Sequence, residues 1–80
     1  MRSRGLYEPR PVAVRAEGDG PPWRVGPVAV EAVREEWLVE DRWWTARTLR
    51  RHYFELALAD GRAVTVFRDA ADGRWFRQRA

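Results

Sequence analysis

Two Asp-Gly pairs, Asp60-Gly61 and Asp72-Gly73, punctuate the last third of the chain. They divide the stretch from Arg51 to Arg79 into three short runs rich in aromatic and β-branched residues. Glycine after aspartate between such runs marks a reversal of an extended backbone, so the stretch predicts a three-stranded antiparallel meander.

The register of the first hairpin follows from what it must bury. A two-residue loop at Asp60-Gly61 pairs Phe54 with Phe67 and Leu56 with Thr65. A type I turn followed by Gly61 in the left-handed conformation adds a bulge, and pairs Leu56 with Val64 and Phe54 with Val66. The second register collects Phe54, Leu56, Leu58, Val64 and Val66 on one face and is the one expected. A similar turn at Asp72-Gly73 then places Phe76 beside Val66 on that face. The opposite face receives Tyr53, Phe67 and Trp75, with Glu55, Thr65 and Arg77 nearby. A half-solvated sheet carries mostly polar residues there. Three aromatics in a row therefore need a cover, either from the chain's own N-terminal arm or Trp43-Trp44 segment, or from a ligand in an aromatic groove.

Upstream, residues 1–9 show no periodicity and read as a flexible arm, leaving residues 10–80 as one small β domain. Val12 and Val14 alternate with polar neighbours and predict a strand over about 11–16. The run Glu17 to Pro22 is a loop, Trp23 to Val25 a short strand, and Gly26-Pro27 the next break. In Val28 to Glu40, the set Val28, Val30 and Ala32 has one parity and the set Val33, Trp37 and Val39 the other. A β-bulge near Val33 to Glu36 reconciles the two in one long bent strand. A helix over Glu31 to Leu38 competes, since Val30, Val33 and Trp37 are spaced by three and four. Trp43 and Trp44 are adjacent, so on a strand they point to opposite faces. The expected fold is all-β: a small, strongly bent antiparallel barrel or roll, of SH3-like or OB-like size, with five or six strands.

An 80-residue chain buries only about 60% of the surface its unfolded form exposes, so each large apolar side chain matters. Cysteine is absent, which removes disulfides and thiolate zinc sites. There is no membrane-length apolar run and no signal-peptide pattern, so a soluble, cytoplasmic protein is expected. The formal charge is +3, and all fifteen basic residues are arginine. A GC-rich coding bias explains that choice, and so does the superior forking and stacking of guanidinium.

Catalysis is not expected. His52 is the only histidine and sits between Arg51 and Tyr53, where a strand-edge hydrogen bond is its natural role. No nucleophile–base pair, no metal-ligand spacing and no phosphate loop is present, so no cofactor or metal is expected. Arginine and aromatic residues are interleaved at Arg42-Trp43-Trp44, at Arg50 to Phe54 and at Arg74 to Arg79. That mixture suits a protein partner or, alternatively, single-stranded nucleic acid; it also suits ordinary cation–π packing. The candidate binding residues are Trp43, Trp44, Arg51, Tyr53, Phe67, Trp75 and Arg77.

The residues Glu35-Glu36-Trp37, Trp43-Trp44, Arg50 to Phe54, Ala59 to Arg62, Val66 to Asp69 and Gly73 to Phe76 appear in an order that resembles the small domain family DUF6504. Over Trp43 to Phe76 the order also resembles the C-terminal tail of ImuB-type proteins, which are polymerase-like proteins of bacterial mutagenic DNA repair that lack catalytic acids. The polymerase-like body is missing here. The resemblance implies a free-standing accessory domain that recruits a partner in DNA-damage tolerance and performs no chemistry.

Overall fold

A computed structural model describes residues 9–42 and 48–78. The chain forms seven antiparallel strands: β1 (Arg10–Pro11), β2 (Val14–Ala16), β3 (Pro22–Val25), β4 (Val28–Arg42), β5 (Thr48–Leu58), β6 (Ala63–Asp69) and β7 (Trp75–Gln78). They join in one sheet in the order β1-β7-β6-β5-β4-β3-β2, which curls into a half-barrel. The expected all-β architecture is therefore present. The strands number seven rather than five or six because the expected strand over 11–16 is split at Val12-Ala13. Its first part pairs with β7 and its second with β3. The break itself is tied to both sides: Val12 N–H donates to the Trp75 carbonyl at 3.2 Å, and Gly26 N–H donates to the Ala13 carbonyl at 2.7 Å. One run of chain thus bridges the two edges of the curled sheet.

The first hairpin has the bulged register. Leu56 lies opposite Val64 and Phe54 opposite Val66. Gly61 N–H returns to the Leu58 carbonyl at 3.0 Å, Leu58 N–H bonds the Arg62 carbonyl at 2.8 Å, and Gly61 holds φ at 93°. A side chain is strained at that φ, so the turn needs its glycine. Phe54, Leu56, Leu58, Val64 and Val66 are buried together with Val25, and Val12, Val14, Val28, Val30 and Trp75 pack around them. This inner face is the main core.

The second hairpin differs from expectation by one residue. Phe67 lies opposite Phe76 and Arg68 opposite Trp75. Four residues, Ala70 to Gly73, make the loop: Gly73 N–H reaches back to the Asp69 carbonyl at 2.7 Å, and Asp69 N–H bonds the Arg74 carbonyl at 2.9 Å. Two alanines extend the turn before Gly73 takes the left-handed conformation, φ 73°. A one-residue change of register flips every side chain on a strand. Trp75 therefore packs inward, its ring centroid 5.7 Å from that of Phe54. Phe76 faces outward and stacks on Phe67 at 5.3 Å.

β4 is a single bent strand, and the helical alternative is not adopted. It carries two bulges against β5, at Glu31 and at Arg34, where one was expected. The first brings Val33 opposite Leu56. The second sends Trp37 to the outer face opposite Tyr53 and leaves Leu38 on the inner side opposite His52. The two apolar parities of this segment thus serve two different faces.

Candidate functional site

The outer face is a second, smaller core. Phe67 is 1% and Tyr53 8% exposed. Tyr53 stacks on Trp37 with centroids 5.3 Å apart and planes 5° from parallel. It also meets Phe67 at 4.9 Å. The Arg51 guanidinium lies 4.5 Å from the Phe67 ring centroid, and that of Arg74 lies 5.3 Å from Phe76. Arg51 Nη1 donates to the Tyr53 hydroxyl at 3.3 Å. Its Nε is buried without a hydrogen-bond partner among the described residues. Arginine here acts as a lid on aromatic rings.

The residues anticipated as a binding face are therefore dispersed. Tyr53 and Phe67 are buried and present no ring face to a ligand. Arg51 covers them. Trp75 lies on the inner face against the main core. Arg77 lies opposite Val66, also on the inner side, instead of beside Tyr53 and Phe67. Both displacements follow from the four-residue second loop. Trp43 and Trp44 lie outside the described residues, as does the expected arm apart from Pro9.

A different site emerges where the β4–β5 hairpin outgrows the barrel. Leu38 and His52 are opposite one another, and so are His52 and Arg68. Glu40 and Arg50 form the next pair. These inner-face residues line a cleft of about 270 Å³, completed by Ala70 and by Asp19 from the β2–β3 loop. Arg50, His52 and Arg68 each face a carboxylate, while Arg51, also in the lining, turns over the Phe67 ring. Arg68 Nη1 donates to Asp19 Oδ1 at 2.8 Å, His52 Nε2 to Glu36 Oε2 at 2.8 Å, and Arg50 Nε approaches Glu40 Oε2 at 3.4 Å. The His52 ring also stacks on Phe54, centroids 4.3 Å apart, so its edge is aimed at the cleft from the top of the core. Leu38 stands amid these ion pairs and is 69% exposed. A second hollow, lined by Glu36, Trp37, Leu38 and His52, adjoins it.

Exposed ion pairs of this kind contribute little to stability, typically under about 1 kcal/mol each. Their effect is to keep the rim polar and nearly neutral around one apolar side chain. Among the described residues the cleft lining contains no hydroxyl or thiol. Among the described residues no group of three or more metal-ligating side chains is arranged to hold an ion.

The sequence contained a signal for this site. Trp37 and Leu38 are adjacent apolar residues on a strand, so one of them had to face inward past the point where the barrel core ends. Asp19 could not be placed by pattern, since its contact with Arg68 spans 49 residues.

The fold and cleft together define a small curled all-β domain with an exposed leucine among paired charged side chains. No protein-family model, no curated protein and no solved structure matches the chain.

Proposed function

We propose that the chain is a non-enzymatic interaction module that docks a protein partner on the exposed half of the β4–β5 hairpin, with Leu38 as its anchor. The observation that carries this is Leu38 itself: 69% exposed, in a cleft that also holds the Arg50–Glu40 and Arg68–Asp19 ion pairs, and beside the His52–Glu36 hydrogen bond. Interfaces concentrate affinity in a few anchors that a polar rim shields from water. Among the described residues nothing packs over this leucine enough to bury it. The resemblance to DUF6504 and to ImuB-type tails supports a partner-recruiting accessory role in bacterial DNA-damage tolerance. Binding of single-stranded nucleic acid has less support. Arg50, His52 and Arg68 already face carboxylates, and Tyr53 and Phe67 are not free to stack on bases.

A photo-cross-linking residue at position 38, with a control at Glu17, tests the reading in cells. A discrete protein adduct from position 38 alone, competed by excess wild type but not by Leu38→Arg, is expected. Equal adducts from both positions would overturn the site. Titration of a labelled oligonucleotide at low salt discriminates the alternative, because phosphate contacts strengthen steeply there.

A further inference from the structure

β4 pairs with β5 along one edge from Val30 to Arg42, but along the other it meets β3 only at Val28 and Ala29. From Val30 to Arg42 its outer edge has no partner strand among the described residues. Residues 31–38 are all exposed. Such an edge presents a row of unpaired backbone N–H and C=O groups to any extended chain.

Natural edges are commonly guarded by bulges and charge. Here both bulges, at Glu31 and Arg34, fall in the first half of the strand. From Glu35 to Arg42 the register against β5 is unbroken, running from Glu35 opposite Glu55 to Arg42 opposite Thr48. At the middle of that regular run stand Trp37 and Leu38, 39% and 69% exposed, where a guarded edge carries lysine. The run is therefore built as a template.

Its charge specifies what it pairs with. Glu35, Glu36, Glu40 and Asp41 stand against the single Arg42, in a chain whose overall charge is +3. Two of these acids, Glu36 and Glu40, contact His52 and Arg50, yet their side chains remain 50% and 53% exposed. A second copy of β4 would bring one acidic strand against another, and like charges directly opposite destabilise a strand pair.

Resting on the interaction role proposed above, we infer that the free edge of β4 over Glu35 to Arg42 takes up an extended, basic segment of the partner protein as an added strand. Backbone hydrogen bonds supply affinity in this mode, and alternate side chains supply specificity. On the inner face the incoming strand sets apolar side chains beside Leu38. On the outer face its basic side chains meet Glu35.

The probe is an eight-residue peptide of alternating lysine and valine with blocked ends, titrated into the isotope-labelled full chain. Two counterparts accompany it: one with glutamate for every lysine, and one with N-methyl groups on two adjacent central residues. Adjacent amides point to opposite sides, so the double methylation obstructs both edges of the peptide strand. The expected result is saturable binding of the basic peptide, with shifts and slowed hydrogen exchange at backbone amides of β4 between Glu35 and Arg42. The methylated peptide should bind about tenfold more weakly or worse. The acidic peptide should not bind, and Glu35→Lys should weaken the basic one. Equal binding of acidic and basic peptides, equal binding of the methylated peptide, or shifts confined to other strands would each overturn the inference. Concentration-dependent protection of β4 without peptide would overturn it too, by identifying a second copy as the occupant. A cross-link from position 38 with no protection of β4 would leave the interaction role standing and sink the added strand.

Discussion

Truncation of Phe67 separates a buried aromatic layer from an open aromatic groove. Phe67 is 1% exposed and is clasped by Tyr53 at 4.9 Å, Phe76 at 5.3 Å and the Arg51 guanidinium at 4.5 Å. Phe→Ala at a fully buried site costs about 3–5 kcal/mol, from lost transfer energy and the cavity left behind. The two ring contacts carry about 0.5–1.5 kcal/mol each beyond their area, which favours the upper part of that range. A chain of this length has a total stability of roughly 4–12 kcal/mol. Phe67→Ala therefore removes a large share of it and lowers the melting temperature by about 12 °C or more. Leu38→Ala, at 69% exposure, should stay within about 0.5 kcal/mol of wild type. Urea denaturation followed by far-UV circular dichroism reads both, as a shift of midpoint at constant slope. A loss below about 1 kcal/mol for Phe67→Ala would refute the reasoning, because it would mean that the ring is not packed.

The first hairpin predicts that Gly61→Ala destabilises although nothing lies within 4 Å of the added Cβ. The cost, about 1–2 kcal/mol by the same denaturation assay, comes from φ alone. Glu35 and Glu55 lie directly opposite one another, so Glu35→Lys should raise stability by about 0.2–1 kcal/mol, and less at high salt. The Asp60 carboxyl should titrate below its ordinary 3.8, chiefly because the Arg62 backbone N–H donates to it and secondarily through the Arg62 side chain. Because the folded value is the lower one, the stability it contributes is present above the unfolded carboxyl's pKa and is lost as pH falls through the folded value. Carboxyl-detected NMR should find most of the depression retained in Arg62→Ala, and its complete loss there would contradict the backbone assignment.

What the sequence made legible was local. The Asp60-Gly61 turn and the register of β5 against β6 follow from one glycine and five apolar residues that had to share a face. Asp72-Gly73 looked the same in sequence, but Ala70 and Ala71 continue the turn by one residue, and that exchange of faces between Trp75 and Phe76 has no signature in composition. The run from Val28 to Val39 announced a break in parity without saying how many bulges make it. The cleft was less legible still. It needs Asp19 to cross to Arg68 and the β4–β5 hairpin to outrun β6, both of which are properties of the assembled sheet.

The two bulges of β4 tie these features to one cause. A small chain gains burial by covering both faces of a sheet, and a strand can serve both only where its alternation is reset. After the resets at Glu31 and Arg34, β4 sends Trp37 outward to Tyr53 while its backbone continues past the main core. That continuation carries Leu38 beyond the barrel's last inner layer, with His52 on Phe54 marking where the layer ends. It also carries the backbone past β3, so one edge has no partner strand among the described residues. The second core, the exposed leucine and the open edge are then three consequences of one long strand. Were Arg34 kept and paired directly opposite Glu55, Trp37 would fall opposite His52 on the inner side and Tyr53 would lose its stacking partner, whereas deleting Arg34 should leave Trp37 opposite Tyr53.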